Sequence, residues 1–257
     1  MAANELLRIS TLSVSFGGLK AISNVDMTVY EGELVGLIGP NGAGKTTLFN
    51  ALTGLCRPTS GEIVFSGKNL SKKSAHYISR QGITRTFQNI RLFKSLSALD
   101  NLRIACHQNM SYTFLGGILK TKNASRQEEE AEKQAWAMLE IMGLSQYAHE
   151  RSVNLSYGNQ RKLEIARALV TKPRLLLLDE PAAGMNPAET QELLRLIRSL
   201  RSDFGVTIIL IEHDMNLVMN LCERIFVLDY GVLIAEGSVE EIRSNEQVIQ
   251  AYLGADV

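Results

Sequence analysis

At 257 residues and 45% hydrophobic content, the chain can bury one sizeable core or two closely joined ones, and its composition is that of an ordinary globular protein. Lys plus Arg and Asp plus Glu each number 27, so the formal net charge is zero and no global field draws the chain to nucleic acid or anionic lipid. Cys56, Cys106 and Cys222 are scattered without metal-ligand spacing and read as reduced thiols packed as small hydrophobes.

Apolar, β-favouring stretches at 7–16, 21–29 and 34–38 predict three strands, with Gly17-Gly18 and Glu31-Gly32 as turns. A glycine-rich loop then leads into a helix from Thr46. Gly54, Pro58 and Gly61 punctuate a return to extended chain at 62–65, and Gly82 precedes a short extended stretch through Gln88. From about Ser97 to Arg151 the pattern is helical, and the charged run 126–133 reads as a solvated face ahead of Trp136, Met138, Leu139 and Met142. Residues 107–125, with Gly116-Gly117 and apolar Phe114, Leu115, Ile118 and Leu119, read as a loop or short-helix insertion. After Pro173 an α/β alternation returns: strand 174–178, helix 188–201, strand 206–211, helix 215–222, strand 224–229 and a helical tail at 239–252. The apolar runs at 175–178 and 206–211 fall far short of the roughly 20 residues of a membrane span. Residues 1–9, carrying Glu5 and Arg8, lack a signal-peptide core, so the expected compartment is the cytosol.

Gly39, Pro40, Asn41, Gly42, Ala43, Gly44, Lys45 and Thr46 form a complete G-x-x-x-x-G-K-[ST] phosphate loop between an apolar strand and a helix, where its chemistry requires it. Glycines let backbone N–H groups curl around phosphate oxygens, and the positive helix end adds to them. Lys45 balances the β/γ charge, and the Thr46 hydroxyl can ligate Mg²⁺. Downstream, Arg174-Leu-Leu-Leu-Leu-Asp179-Glu180 reads as a strand buried on both faces that delivers two carboxylates to the ligand edge of a parallel sheet. There Asp179 can hold the metal through water, while Glu180 can orient or deprotonate the water that attacks the γ-phosphate. His213 follows the next apolar strand and lands at the same edge. Leu155-Ser-Tyr-Gly-Asn-Gln-Arg161 precedes a helix predicted at 162–170, where Ser156 and Gly158 can bind a phosphate by hydroxyl, backbone N–H and helix dipole.

In this order the motifs resemble those of the ATP-binding cassette (ABC) ATPases, whose signature is usually written Leu-Ser-Gly-Gly-Gln. On that resemblance Gln88 matches the Q-loop and the metal-contacting, γ-phosphate-sensing residue, Phe16 the aromatic that stacks on adenine, and His213 the switch histidine; Thr47 joins the phosphate-binding set. Ala182-Ala-Gly-Met-Asn186 matches the D-loop. The implied fold is an α/β P-loop NTPase (RecA-like) core with an antiparallel β subdomain and an inserted α-helical subdomain. One cassette spans 5–254, with 1–96 and 152–238 as core, 97–151 as helical subdomain and 239–257 as C-terminal tail. Residues 84–93, the signature, Glu180-Pro-Ala-Ala-Gly-Met-Asn-Pro187 and the ending Ala251-Tyr-Leu-Gly254 further resemble the ATPases of branched-chain amino acid importers. The insertion at 116–121 is similar to the longer of that system's two ATPases. Tyr157 stands where the first signature glycine would be, altering the backbone's approach to the γ-phosphate, and Asn186 stands where the D-loop usually has aspartate.

What the resemblance implies is a motor. Two cassettes stack head to tail, with ATP and Mg²⁺ between the phosphate loop of one and Ser156 and Gly158 of the other. The implied partners are a second, different ATPase, two membrane permeases and a periplasmic amino-acid-binding protein, with no nucleic acid, and the implied location is peripheral, on the cytoplasmic face of the inner membrane. Ile90, Leu92, Phe93 and Leu96 are candidate permease contacts, with a core role as the alternative. An exporter ATPase for lipid or another hydrophobic substrate is a second reading. A soluble ABC protein acting on ribosomes or DNA is a third, disfavoured by the single cassette and zero net charge.

Overall fold

The computed structural model describes residues 4–109 and 121–253. The candidate insertion residues Phe114, Leu115, Gly116, Gly117, Ile118 and Leu119, and Gly254 of the ending motif, lie outside them. Packing divides the chain into two units: residues 1–85, 174–183 and 194–257, and residues 86–173 with 184–193. The helical unit therefore takes in 86–96 and 152–173, beyond the 97–151 drawn from the sequence pattern, and the C-terminal tail joins the α/β unit.

In the α/β unit, three continuous apolar runs become strands buried on both faces: β3 (Leu34–Ile38), β7 (Leu175–Asp179) and β8 (Thr207–Ile211). They lie side by side in a six-stranded sheet of order β10-β9-β3-β8-β7-β6, with β6 (Ile83–Arg85), β9 (Arg224–Asp229) and β10 (Val232–Ser238) completing it. All pairs are parallel except β9 with β10. A second, antiparallel sheet has the order β2-β1-β4-β5 and comprises β1 (Glu5–Phe16), β2 (Leu19–Tyr30), β4 (Ser60–Phe65) and β5 (Lys68–Asn69). Its buried residues, among them Leu7, Ile9, Leu12 and Val29, share one hydrophobic core with Phe49, Leu177 and Phe226.

Helix α1 (Lys45–Leu52) follows the phosphate loop, and α2 (Ala75–Arg80) is capped by the Ser74 hydroxyl. The helical unit carries α3 (Ala98–Cys106), α4 (Lys122–Ile141) and α5 (Tyr157–Leu169). Next come α6 (Pro187–Phe204), α7 (Met215–Leu221), α8 (Val239–Arg243) and α9 (Glu246–Leu253). No helix among the described residues is long and apolar enough to cross a membrane.

Several elements depart from the sequence pattern, among them β5 and α2, which fall between the stretches it marked. The stretch expected extended through Gln88 ends at Arg85, because 86–88 has no neighbouring strand and is held by side chains instead. Helix α5 starts at Tyr157, five residues before the expected start, since Ser156 rather than Arg161 caps it. The tail is two helices, because the Asn245 side chain accepts from the amides of Gln247 and Val248 and starts a new one. Strand β10 was not expected: after the tight turn at Tyr230 and Gly231 it returns antiparallel on β9, and as an edge strand it shows no clear alternation of burial.

Gly39 opens the phosphate loop at φ 148°, and a Cβ there would stand 2.0 Å from the Leu228 carbonyl oxygen at the end of β9. Gly39→Ala should therefore destabilise the α/β unit by about 3 kcal/mol or more, combining backbone strain with overpacking against an immovable main chain. Thermal melts of the purified variant check this, and a melting temperature equal to the parent's would mean that the loop relaxes freely.

Candidate active site of a nucleotide-driven ATPase

Register builds the site. Leu37 pairs with Ile211, and Ile211 pairs with Asp179, so β3, β8 and β7 end together at one edge of the sheet. The phosphate loop, Glu180 and the Glu212–His213 pair leave that edge in adjacent positions, with the Glu180 amide donating to the Ile211 carbonyl at 2.9 Å. The loop is braced from behind: Gly231 N–H donates to the Ala43 carbonyl (2.9 Å), and the Gly231 carbonyl accepts from Ser23 N–H (2.8 Å).

Lys45 is 6% exposed, and its ammonium donates to the carbonyls of Gly39 (2.6 Å) and Pro40 (2.9 Å). Burial pushes its pKa down, while the charges of Glu180 and Asp179 oppose that shift. The ammonium is thus held within its own loop by neutral acceptors that a phosphate can supplement or displace. Asn41, Gly42 and Thr46 are exposed, while Pro40, Gly44 and Thr47 are partly buried. Phe16, at the end of β1, is 52% exposed, so a core role is ruled out.

Asp179 is almost buried and paired with Arg85, whose Nη2 donates to Oδ2 at 2.6 Å. The other guanidinium nitrogen of Arg85 donates to Asn50 Oδ1 on α1 (2.7 Å). The sequence reading assigned Asp179 without this cation; a charged residue ending a short buried strand was the signal that could have found it. Thr46 and Asp179 offer hard oxygen donors of the kind Mg²⁺ takes. Among the described residues there is no group of three or more His, Cys, Asp or Glu that could hold a metal ion.

Glu180 has φ 46°, a left-handed conformation that costs a non-glycine residue about 1–3 kcal/mol and recurs at functional sites. Its Oε1 is hydrogen-bonded to His213 Nε2, so the two residues expected to act together are in contact. The His213 side chain is about half exposed and the Glu180 side chain mostly buried. Glu212 was passed over in the sequence. It is 5% exposed, and its carboxylate accepts from the amides of Ala182 (2.8 Å) and His213 (3.3 Å), fixing the chain that follows Glu180 and the backbone of the histidine. Burial pushes the Glu212 carboxyl above its ordinary value, and nearby Glu180 adds to that, against the two amides.

In the helical unit, Ser156 is exposed and caps α5, its Oγ accepting from Asn159 N–H at 3.3 Å. Asn159 occupies the place that the signature usually gives to glutamine, a departure that the sequence reading did not weigh. Gly158 is buried, and a Cβ there would stand 2.8 Å from Glu189 Oε1 on α6, so a side chain at the helix start would require the flexible Glu189 carboxylate to swing aside. Tyr157 is the first residue of the helix: its hydroxyl accepts from Arg161 Nη2 (3.2 Å) and its ring lies beside Gly184. Asn186 and Glu189 exchange side chain-to-amide hydrogen bonds, both 3.0 Å, so Asn186 serves as the cap of α6. Gln88 is exposed, and its carbonyl accepts from Arg161 (2.8 Å). Of the candidate permease contacts, Phe93 is exposed and Ile90, Leu92 and Leu96 are half-buried, so none is core.

The family described as ABC transporter matches residues 22–183, more than half of the chain. The chain belongs to the ABC transporter ATPases. It is an ATP-binding cassette whose hydrolysis is coupled to transport. A C-terminal family described as branched-chain amino acid ATP-binding cassette transporter matches residues 232–257. The high-affinity branched-chain amino acid transport ATP-binding protein BraF of Pseudomonas aeruginosa is 49% identical over 98% of this chain and 99% of its own. The LivG protein of Escherichia coli, of the same description, is 49% identical with the same coverage. A crystal structure of an ABC transporter's ATP-binding cassette in its ADP conformation superposes with a TM-score of 0.84 at 31% identity, covering 97% of this chain and 99% of that one.

The displaced pKa of Glu212 has a definite sign. A carboxyl raised by folding is most costly where it must be ionised, so the cost is present at neutral and alkaline pH and vanishes as pH falls below the ordinary value of 4.5. Glu212→Gln keeps an acceptor for Ala182 without the charge. Its melting temperature should exceed the parent's at pH 8 by a few degrees, and the gain should shrink toward pH 4.5; a gain independent of pH would show that the buried charge is not its source.

Proposed function

We propose that this cassette energises the import of branched-chain amino acids, leucine, isoleucine and valine, from a peripheral position on the cytoplasmic face of the membrane. The supporting observation is the near-complete overlap with relatives of that description, extending through the tail at 232–257. Its partners in this reading are a second ATPase, two permeases and a periplasmic binding protein.

ATP is held by the phosphate loop, with Lys45 against the β/γ oxygens and loop amides around them; Phe16 stacks on adenine. Mg²⁺, when bound, would draw on Thr46 and Asp179 and would neutralise phosphate charge. Glu180 orients and deprotonates the attacking water. His213 holds Glu180 in place and, being half exposed, turns toward the γ-phosphate as the site closes. Because β3, β7 and β8 fix these groups in one register, little reorganisation remains for the chemical step. Ser156 and Gly158, at the capped start of α5, close on the nucleotide of the partner cassette and exclude water. Hydrolysis removes the bridging γ-phosphate, and the pair opens.

Glu180→Gln should bind ATP as the parent does and lose about 100-fold or more in turnover, whereas Lys45→Ala should lose affinity itself. Nucleotide binding and phosphate release on the purified complex separate the two, and near-parental turnover in Glu180→Gln would remove that residue from the chemistry.

Ser156→Arg tests the shared site and the substrate together. The purified variant should retain ATP binding at its own phosphate loop, while leucine uptake by cells carrying the full complex falls to background. Normal uptake would contradict closure across two cassettes. Loss of uptake only for an unrelated solute would overturn the substrate assignment.

A further inference from the structure

Arg161 and Glu164 lie one turn apart on α5, and both are almost completely buried, at 0% and 2% exposure. Arg161 Nη1 donates to Glu164 Oε2 (2.7 Å) and to the Phe87 carbonyl (2.8 Å), and Nη2 donates to the Gln88 carbonyl (2.8 Å). Glu164 Oε1 accepts from Arg91 N–H at 3.0 Å. Apart from the bond within the pair and one to the Tyr157 hydroxyl, its hydrogen bonds go to the backbone between Phe87 and Arg91. A second buried polar group continues the hold: Asn101, 0% exposed, accepts from Phe93 N–H (2.9 Å) and donates to the Phe93 carbonyl (3.2 Å), which also accepts from Ser152 (3.0 Å).

Residues 86–93 form no helix or strand, so these side chains replace the ladder that would otherwise set their path. Stability alone is a poor reason for such a pair. Removing two charges from water costs as much as their attraction returns, and apolar residues of similar volume are often as stable. Burial indeed pushes the Glu164 carboxyl upward, against the Arg91 amide and the charges of Arg161 and Arg167. What the pair supplies that an apolar contact cannot is a fixed, directional link between the signature helix and main-chain atoms of one segment.

We propose that Arg161 and Glu164 are positioning residues that lock the segment from Gln88 to Phe93 onto the signature helix, so that movement of Ser156 on nucleotide closure is delivered to Ile90, Leu92 and Phe93 as one rigid body. The proposal rests on the reading of those apolar residues as the permease contact. It also gives Tyr157 a role: its hydroxyl holds Arg161 at the helix start, where a signature glycine could not.

The test is the double variant Arg161→Met/Glu164→Leu, which replaces the pair by apolar volume, with Glu164→Gln as a milder variant that breaks the charge and keeps the fold if the double variant does not. In the isolated chain, amide hydrogen exchange at Arg91 should quicken about tenfold or more, with ATP affinity unchanged. In the assembled transporter, ATP turnover should stay near the parent's while solute taken up per ATP falls about fivefold. Quicker exchange with unchanged uptake per ATP would overturn the proposal, as would uptake and turnover falling in proportion, or exchange at Arg91 that does not change. Phe93→Asp separately tests the contact reading, since its exposed ring should be needed for copurification with the permeases. Normal assembly of that variant would sink the contact reading while the exchange result still reports on the link itself.

Discussion

The site depends on the parallel register of three buried strands. Leu37, Ile211 and Asp179 stand in line across β3, β8 and β7, and each strand is followed at once by a catalytic element. A shift of one residue in any of them would turn its side chains to the other face of the sheet and carry its loop out of place. The continuous burial of these strands on both faces makes such a shift costly. The most apolar part of the chain thereby positions its most polar residues.

Around that edge, charge is arranged in opposed pairs. Lys45 is buried near Glu180 and Asp179, and Asp179 is matched by Arg85, while Glu180 is hydrogen-bonded to His213. Glu212 stands apart, a buried carboxylate held by two amides rather than by a cation. Its role is geometric, keeping the turn after Glu180 and the His213 backbone together while Glu180 remains in a strained left-handed conformation. Strain at one residue persists because the surrounding hydrogen bonds over-determine it.

The signature region shows how departures from a family pattern are absorbed locally. Tyr157 keeps helical backbone and turns its hydroxyl inward to Arg161; Asn186 caps α6 as aspartate would, through the same oxygen-to-amide geometry. At Gly158 the neighbour is the Glu189 side chain, whose carboxylate a Cβ would push aside.

The phosphate loop, the apolar strands, the carboxylates after β7 and the histidine after β8 were legible in the sequence, because each is encoded by contiguous residues whose spacing and polarity carry the chemistry. So was the α/β order, apart from the short β5 and α2 and from β10, whose mixed burial at a sheet edge leaves no clean period. The partners of those residues were not legible. Arg85 meets Asp179 across 94 positions and Arg161 meets Phe87 across 74, and nothing in local sequence records a contact at that separation. Likewise the helix start at Tyr157 and the end of β6 at Arg85 were decided by which side chains satisfy the backbone there. Local pattern determined which segments form and which motifs they carry; only the tertiary structure decided which buried charges meet, since desolvation makes an unpaired charge too costly and the pairing depends on packing between distant segments.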